Sequence, residues 1–271
     1  MPALDLDLIA DIAAAAEAED GAAPLDEATW RALRHHPETV RSWTSADGVA
    51  LLIGDQLSLV VHPSARGRGV ATELLAEVPE GGQSAWSHGD HPAAAALARS
   101  HGFERVRSLW VMRRPTSLPL PELAVPPGLT VRGYTPADAD EIVRVNAAAF
   151  AHHPEQGAMD AAELAERMAE PWFDPAGLLL ATDGERVLGF HWTKQHSPDL
   201  GEVYVVGIDP SAQGRGLGKV LTLAGLHHLA GLGVAEILLY VESDNAPAVA
   251  VYSGLGFTHA DADTHVMYRR D

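Results

Sequence analysis

The alternation of apolar and polar positions divides the chain into two similar series of elements. Residues 5–18 carry an apolar face at helical spacing and stop at Asp20-Gly21, and a second helix is expected over Asp26–His35. Short runs rich in β-branched and apolar residues predict strands at Val40–Thr44, Gly48–Ile53 and Leu57–His62, the last ended by Pro63. A glycine turn, Arg66-Gly67-Arg68-Gly69-Val70-Ala71-Thr72, follows, and Trp110–Arg114 reads as a closing strand. The second series opens with a strand at Leu129–Arg132 and a helix capped by Thr135, with Pro136 at its first position, ending near Phe150. A helix over Asp160–Glu170, strands at Leu178–Thr182 and Arg186–Lys194, and an apolar strand at Val203–Ile208 come next. Asp209-Pro210-Ser211 breaks that strand, a second glycine turn opens a long apolar helix, and strands at Ile237–Val241 and Val266–Arg270 flank a short helix after Asn245.

The two series superpose without a gap across the glycine turns. Gly54 falls on Gly201, Pro63 on Pro210, Arg66 on Gln213, Gly69 on Gly216 and Ala71 on Gly218. Downstream, Trp86–Phe103 matches Tyr240–Phe257 at equal length. The sequence therefore predicts two tandem α/β domains, each with a mixed sheet, at residues 1–114 and 128–271. Between them lies a segment, 115–127, whose five prolines deny it helix and favour an extended spacer.

Strand, glycine turn and helix start together make an anion cradle. Successive backbone N–H groups at the helix N-terminus point at the guest, and glycine lets the backbone approach without a Cβ in the way. A pyrophosphate suits it, and the P-loop spacing G-x-x-x-x-G-K-[ST] is missing. The turn Gln213-Gly214-Arg215-Gly216-Leu217-Gly218 after a strand, with N-A-P-A-V-A-V-Y-S-G-L-G-F from Asn245, resembles the two signatures of the GCN5-related N-acetyltransferases (GNAT). That resemblance implies acetyl-CoA as cosubstrate.

Composition narrows the partners. The formal charge of -18 argues against nucleic acid or an anionic membrane surface, and phosphate binding then falls to local basic residues. No cysteine is present, which excludes disulfides, zinc-thiolate sites and a cysteine nucleophile. The pairs His35-His36, His152-His153 and His227-His228 point in different directions on any regular element, so no metal site is expected. With neither a leader-like N-terminus nor a membrane-length apolar stretch, the expectation is a cytoplasmic monomer.

Further segments, among them A-F-A-H-H-P-E-Q-G from Ala149, P-W-F-D-P from Pro171, H-W-T-K from His191 and Y-V-E-S-D-N from Tyr240, resemble the mycothiol-forming branch of the family over nearly the whole chain. The acceptor this implies is a cysteinyl-glucosaminyl-inositol, acetylated on its cysteinyl amine. The resemblance implies acceptor contacts at Glu27, Glu155, Lys194, Glu202 and Tyr252. It implies acetyl-CoA contacts at Val206, Gly207 and Ile208, at Gln213, Gly214, Arg215, Gly216, Leu217, Gly218 and Lys219, and at Asn245, Ala246, Pro247, Ala248, Val249 and Ala250. Ala250 stands where the branch would have an arginine. By the repeat, Leu59, Val60, Val61, Arg66, Gly67, Arg68, Gly69, Val70 and Ala71 form a second acetyl-CoA cradle, with two guanidinium groups available for phosphates.

Direct transfer needs a neutral amine, a polarised thioester carbonyl and a proton for the departing thiolate. Glu202 is the candidate base and Tyr252 the candidate acid. The resemblance implies a splayed β-bulge near Val206-Gly207 whose freed N–H holds the oxyanion. Each position has a plainer reading: Gly207 as a packing glycine, Glu202 as a solvated strand-end carboxylate, Tyr252 as a core residue at helical spacing from Val249. Opposite Tyr252 the repeat places Ala98, and opposite Asn245 it places His91, so the first domain is expected to have lost the acid and the second to do the chemistry. Two other functions fit these residues: an N-acetyltransferase for a different small-molecule or peptide amine, and a CoA-binding protein that does not react.

Overall fold

The computed structural model describes residues 4–151 and 156–271. Its chain forms two compact units, Met1–Trp110 with Ala260–Asp271, and Val111–His259. The mixed α/β architecture expected from the sequence is present in both.

Unit 1 begins with helices α1 (Leu6–Asp20) and α2 (Glu27–His35), each N-capped by an aspartate whose carboxylate accepts from a first-turn N–H, Asp5 from Leu8 and Asp26 from Thr29. An antiparallel meander follows: β1 (Val40–Ser45), β2 (Gly48–Ile53) and β3 (Gln56–Val61). Because successive side chains on β2 point to opposite faces, Val49 and Leu51 pack with Ile9, Ile12 and Leu33 of the two helices. Ala50 and Leu52 pack on the other face with Leu74 and Leu75 of α3 (Val70–Glu77). The sheet thus sits between two helical layers. Strand β4 (Gln83–Ser87), helix α4 (Pro92–Ser100) and the first part of β5 (Glu104–Pro115) complete the local order. Strand β4 was not legible in the sequence, since Q-S-A-W-S shows no apolar alternation.

Unit 2 contains β6 (Thr130–Gly133), α5 (Ala139–Ala149), α6 (Ala161–Met168), β7 (Leu178–Thr182), β8 (Val187–Ser197), β9 (Leu200–Ile208), α7 (Leu217–Gly231), β10 (Glu236–Glu242) and α8 (Ala246–Gly254). Strands β6 to β9 are antiparallel neighbours and β10 joins β9 in parallel. Phe190, Trp192 and Val205 pack against Ile142 and Val145 of α5, while Ala181 and Leu188 face Leu217 and Leu221 of α7.

The final strand, β11 (Thr258–Arg270), is longer than the sequence predicts and closes unit 1 rather than unit 2. Val266–Arg270 pair antiparallel with Gln83–Ser87 of β4. Val266 and Tyr268 are buried there beside Phe103 and Leu75, and Arg270 donates to Gln83. A strand paired on one side only is a liability that this exchange removes from β4.

The proline-rich segment is extended, as its composition requires, yet it is fastened to unit 2. Arg114, almost fully buried, donates to the carbonyls of Leu255 (2.8 Å), Leu118 (2.7 Å), Pro119 and Pro115 (both 3.1 Å). The Thr116 hydroxyl donates to the carbonyl of Val234, and the ring of His227 donates to that of Pro121. A buried guanidinium surrounded by carbonyl oxygens satisfies its donors without a counter-charge.

Candidate acetyl-transfer site

Strands β8 and β9 form the floor of the site, joined by the tight turn Pro198-Asp199. Their register holds from Gly189 opposite Ile208 to Trp192 opposite Val205, then shifts so that Thr193 opposes Val203 and Tyr204 is left as the extra residue. The expected bulge therefore falls at Tyr204, two residues before Val206-Gly207. Because side chains alternate with period two, an extra residue flips everything beyond it. Glu202, which pairs directly with Lys194, shares a face with Lys194, Tyr204 and Val205 for that reason.

Gly207 itself answers a packing demand. A Cβ there would lie 2.7 Å from the ring of Phe190, which is fully buried. The splay is real but has a different origin: β9 pairs with β10 only from Leu200 to Val203, although β10 runs on to Glu242. From Tyr204 to Ile208, the edge of β9 that faces β10 has no ladder partner.

Glu202 is buried, with 5% of its surface exposed, so it is not a solvated strand-end carboxylate. Its Oε2 lies 2.6 Å from Nε2 of His196. His196 was not singled out in the sequence, where it is one of 14 histidines, and it reaches Glu202 because a second register shift between Gln195 and Ser197 leaves it extra in β8. The one signal that pointed to it is the turn formed by Pro198-Asp199, which folds β8 back beside Glu202. The Lys194 ammonium, also buried, lies 4.7 Å from the Trp172 ring centroid and 5.4 Å from that of Tyr204, and both rings pack on Trp192. A carboxylate, an imidazole and an ammonium thus share a half-aromatic wall, a surface suited to a polar, amine-bearing guest.

Tyr252 lies on α8, edge-on to Phe257 at 6.1 Å between centroids. Burial raises its phenol above the usual tyrosine value, which keeps the proton in place until a stronger base arises. The α8 helix is capped by the Asn245 side chain, which accepts from Ala248 N–H, so this amide is already engaged. Ala246, Pro247 and Ala250 are exposed, while Ala248 and Val249 are half-buried.

Between β9 and α7, Asp209 turns the chain: it accepts from the Ser211 N–H and hydroxyl and from Arg144, and these bonds hold it down to about 2. Gln213, Gly214, Arg215, Gly216 and Lys219 are exposed, and Leu217 is buried as the anchor of α7. Gly214 and Gly216 have φ of +76° and +75°, a conformation L residues avoid. Gly218 has no such φ, and a Cβ on it would meet nothing within 4 Å, so no protein atom requires a glycine there, and the first copy carries Ala71 at the matching position.

The first-copy loop has the same geometry, with Gly67 at +73° and Gly69 at +91° opening α3. Leu59, Val60, Val61, Val70 and Ala71 surround a cavity of about 660 Å³ above it. Arg66 lines that cavity while both its terminal nitrogens donate to Asp20 at 2.7 Å, tying the end of α1 to the loop, and Arg68 is exposed. Glu27 lies in unit 1 on α2, 3.5 Å from Arg31. Glu155 lies outside the described residues. Among the described residues no cluster of three metal-ligating side chains occurs, and no helix is long and apolar enough to cross a membrane.

A glycine cradle at the end of a splayed strand, followed by a capped helix carrying a tyrosine, is the arrangement of a GNAT acetyltransferase, and residues 146–257 match the Acetyltransferase (GNAT) family. Solved structures agree in fold across both units. A tandem GNAT protein from the clavulanic acid biosynthesis pathway superposes with a TM-score of 0.71 at 18% identity, covering 98% of this chain and 95% of its own. A GCN5-related N-acetyltransferase from Sphaerobacter thermophilus gives 0.68 at 22% identity, covering 97% of this chain and 91% of its own. Within that class the relatives are more specific. The mycothiol acetyltransferase of a Nocardioides species is 69% identical over 97% of this chain and 96% of its own length, and that of Nocardia farcinica 49% identical over 95% and 92%. The chain belongs to the mycothiol acetyltransferase family.

Proposed function

We propose that this protein transfers acetyl from acetyl-CoA to the cysteinyl amine of 1D-myo-inositol 2-(L-cysteinylamino)-2-deoxy-α-D-glucopyranoside, giving mycothiol by direct transfer in a ternary complex. The observation that carries the reading is the face shared by Glu202, His196 and Lys194 at the start of the β9 splay, in a chain 69% identical to a mycothiol acetyltransferase.

In this reading the cradle from Gln213 to Lys219 holds the pyrophosphate, and the thioester lies along the free edge of β9. Glu202 takes a proton from the acceptor ammonium, with His196 fixing the orientation of its carboxylate. The amine nitrogen then attacks the thioester carbonyl, whose oxygen gains charge and is met by backbone N–H groups of the unpaired β9 edge. The C–S bond breaks, the thiolate takes the phenol proton of Tyr252, and the nitrogen, which enters as NH2 and ends as amide NH, gives up its remaining extra proton through solvent to the resulting phenolate. Lys194 hydrogen-bonds the hydroxyl-rich part of the acceptor. Unit 2 does the chemistry and unit 1 binds a CoA thioester without turnover. The working state is a cytoplasmic monomer acting on a small molecule, consistent with the charge of -18.

The test is mass spectrometry of the product formed from acetyl-CoA and the cysteinyl-glucosaminyl-inositol acceptor. A single added acetyl on the cysteinyl nitrogen is expected. No acetylated acceptor, with turnover of another amine in a panel, would overturn the assignment.

A further inference from the structure

Unit 1 repeats the cofactor half of unit 2 but differs from it where the acyl group would lie. Strands β3 and β4 pair in parallel at Gln56 and Ser84 and part beyond that point, and the cavity of about 660 Å³ opens between them, reaching from Gly69 to Leu97 of α4. It shares Leu59, Trp86 and Leu97 with a second recess of about 100 Å³, closed by Leu75, Phe103 and Tyr268. Ala98 lines that recess, at the position the repeat matches to Tyr252. The side chain matched to the Tyr252 phenol is thus a methyl group on the wall of an apolar recess. The other reacting group is also lost: Asp55, matched to Glu202, is exposed, whereas Glu202 is buried.

We propose that the unit 1 cleft is a binding site for an acyl-CoA whose acyl chain is longer than acetyl, the chain occupying the recess opened by Ala98, and that it holds this ligand without transferring the acyl group. The inference rests on the reading of unit 1 as a CoA site. The parted strands and the glycine loop fit the pantetheine and pyrophosphate, and Arg66, which lines the cavity while paired with Asp20, and the exposed Arg68 of the same loop carry the local positive charge. The apolar recess decides the acyl group. An acetyl methyl would leave it empty, and unfilled apolar space forfeits both contacts and burial. Each buried methylene gains about 0.8 kcal/mol, roughly a factor of four in affinity.

The experiment is isothermal titration calorimetry of the full chain with CoA, acetyl-CoA, butyryl-CoA and hexanoyl-CoA, in a Gly216→Val background that removes the left-handed position of the unit 2 loop, with circular dichroism to check the fold. Butyryl-CoA should bind unit 1 about fifteenfold more tightly than acetyl-CoA. Ala98→Leu, which fills the recess, should abolish that gain and leave CoA binding intact. If the Gly216→Val chain does not fold, the difference between the wild-type and Ala98→Leu isotherms isolates the same site. Absence of any CoA binding to unit 1 would remove the underlying reading. CoA binding with butyryl-CoA no tighter than acetyl-CoA would leave that reading in place and overturn the proposal.

Discussion

Lowering the pH from neutrality should destabilise unit 2 first through one residue, His191. The His191 ring is fully buried between β8 and α7, and its Nδ1 donates to the Leu221 carbonyl at 2.8 Å. A carbonyl can only accept, so the neutral tautomer carries its proton on Nδ1 and leaves Nε2 without a partner. Burial holds the imidazole down to about 4 from its ordinary 6.5; the Leu221 carbonyl opposes that shift and His228 on α7 adds to it. His228 in turn sits 3.3 Å from Asp174. Because the folded value is depressed, the unfolded chain binds the proton first. Stability contributed by neutral His191 is therefore complete above about pH 6.5 and is lost as the pH falls toward 4, by about 3 kcal/mol in total. That is a large share of a typical domain's stability and corresponds to a fall of roughly 6–12 °C in Tm. The paired carboxylates begin to lose their contribution only toward their lower ordinary values, 4.5 for Glu141, held low by Arg144, and 3.8 for Asp138, held low by Arg132, and for Asp209, so the His191 window opens first. Urea unfolding at several pH values, followed by tryptophan fluorescence, measures the slope. In His191→Gln, whose amide can still donate to Leu221, the slope between about pH 6.5 and 4 should flatten. A variant that keeps the wild-type slope would show that His191 is not its source.

Other outcomes follow from the same geometry. Tyr252→Phe should lower kcat by roughly 10²-fold or more with acetyl-CoA binding nearly intact, and an unchanged kcat removes the acid role. Glu202→Gln should cut kcat/KM and move the alkaline-rising limb of the rate profile, and if that limb stays in place Glu202 only binds. His196→Ala should lower kcat more than it raises KM, by roughly tenfold, with partial recovery in His196→Gln; equal losses in both variants would deny it an orienting role. Gly225→Ala should lower Tm despite the ~1 kcal/mol by which alanine favours a helix interior, because its Cβ would lie 2.0 Å from the His191 ring and overpacking costs about 1–3 kcal/mol or more. A raised Tm would mean that the ring has room to move.

What the sequence determined by itself was the part governed by short-range rules. Positive φ at Gly67, Gly69, Gly214 and Gly216 is permitted by residue type and demanded by the turn, and the caps Asp5, Asp26 and Asn245 act within four residues of themselves. The repeat made both loops legible at once, and with them the α/β class. The tertiary structure decided whatever depends on which strand lies beside which. The bulge at Tyr204 and the shift at His196 are properties of the β8–β9 register, and no local preference distinguishes Tyr204 from Val206 as the extra residue. Gly207 looked like a bulge glycine until the Phe190 ring appeared against it. The same holds for Arg66, whose partner Asp20 is 46 residues away, and for Val266–Arg270, which resemble the strand Trp110–Arg114 in sequence yet close the sheet of unit 1 against β4. Pairing energy in a sheet is set by the neighbour's exposed edge and the core beneath it, and neither is written in the strand that fills the place.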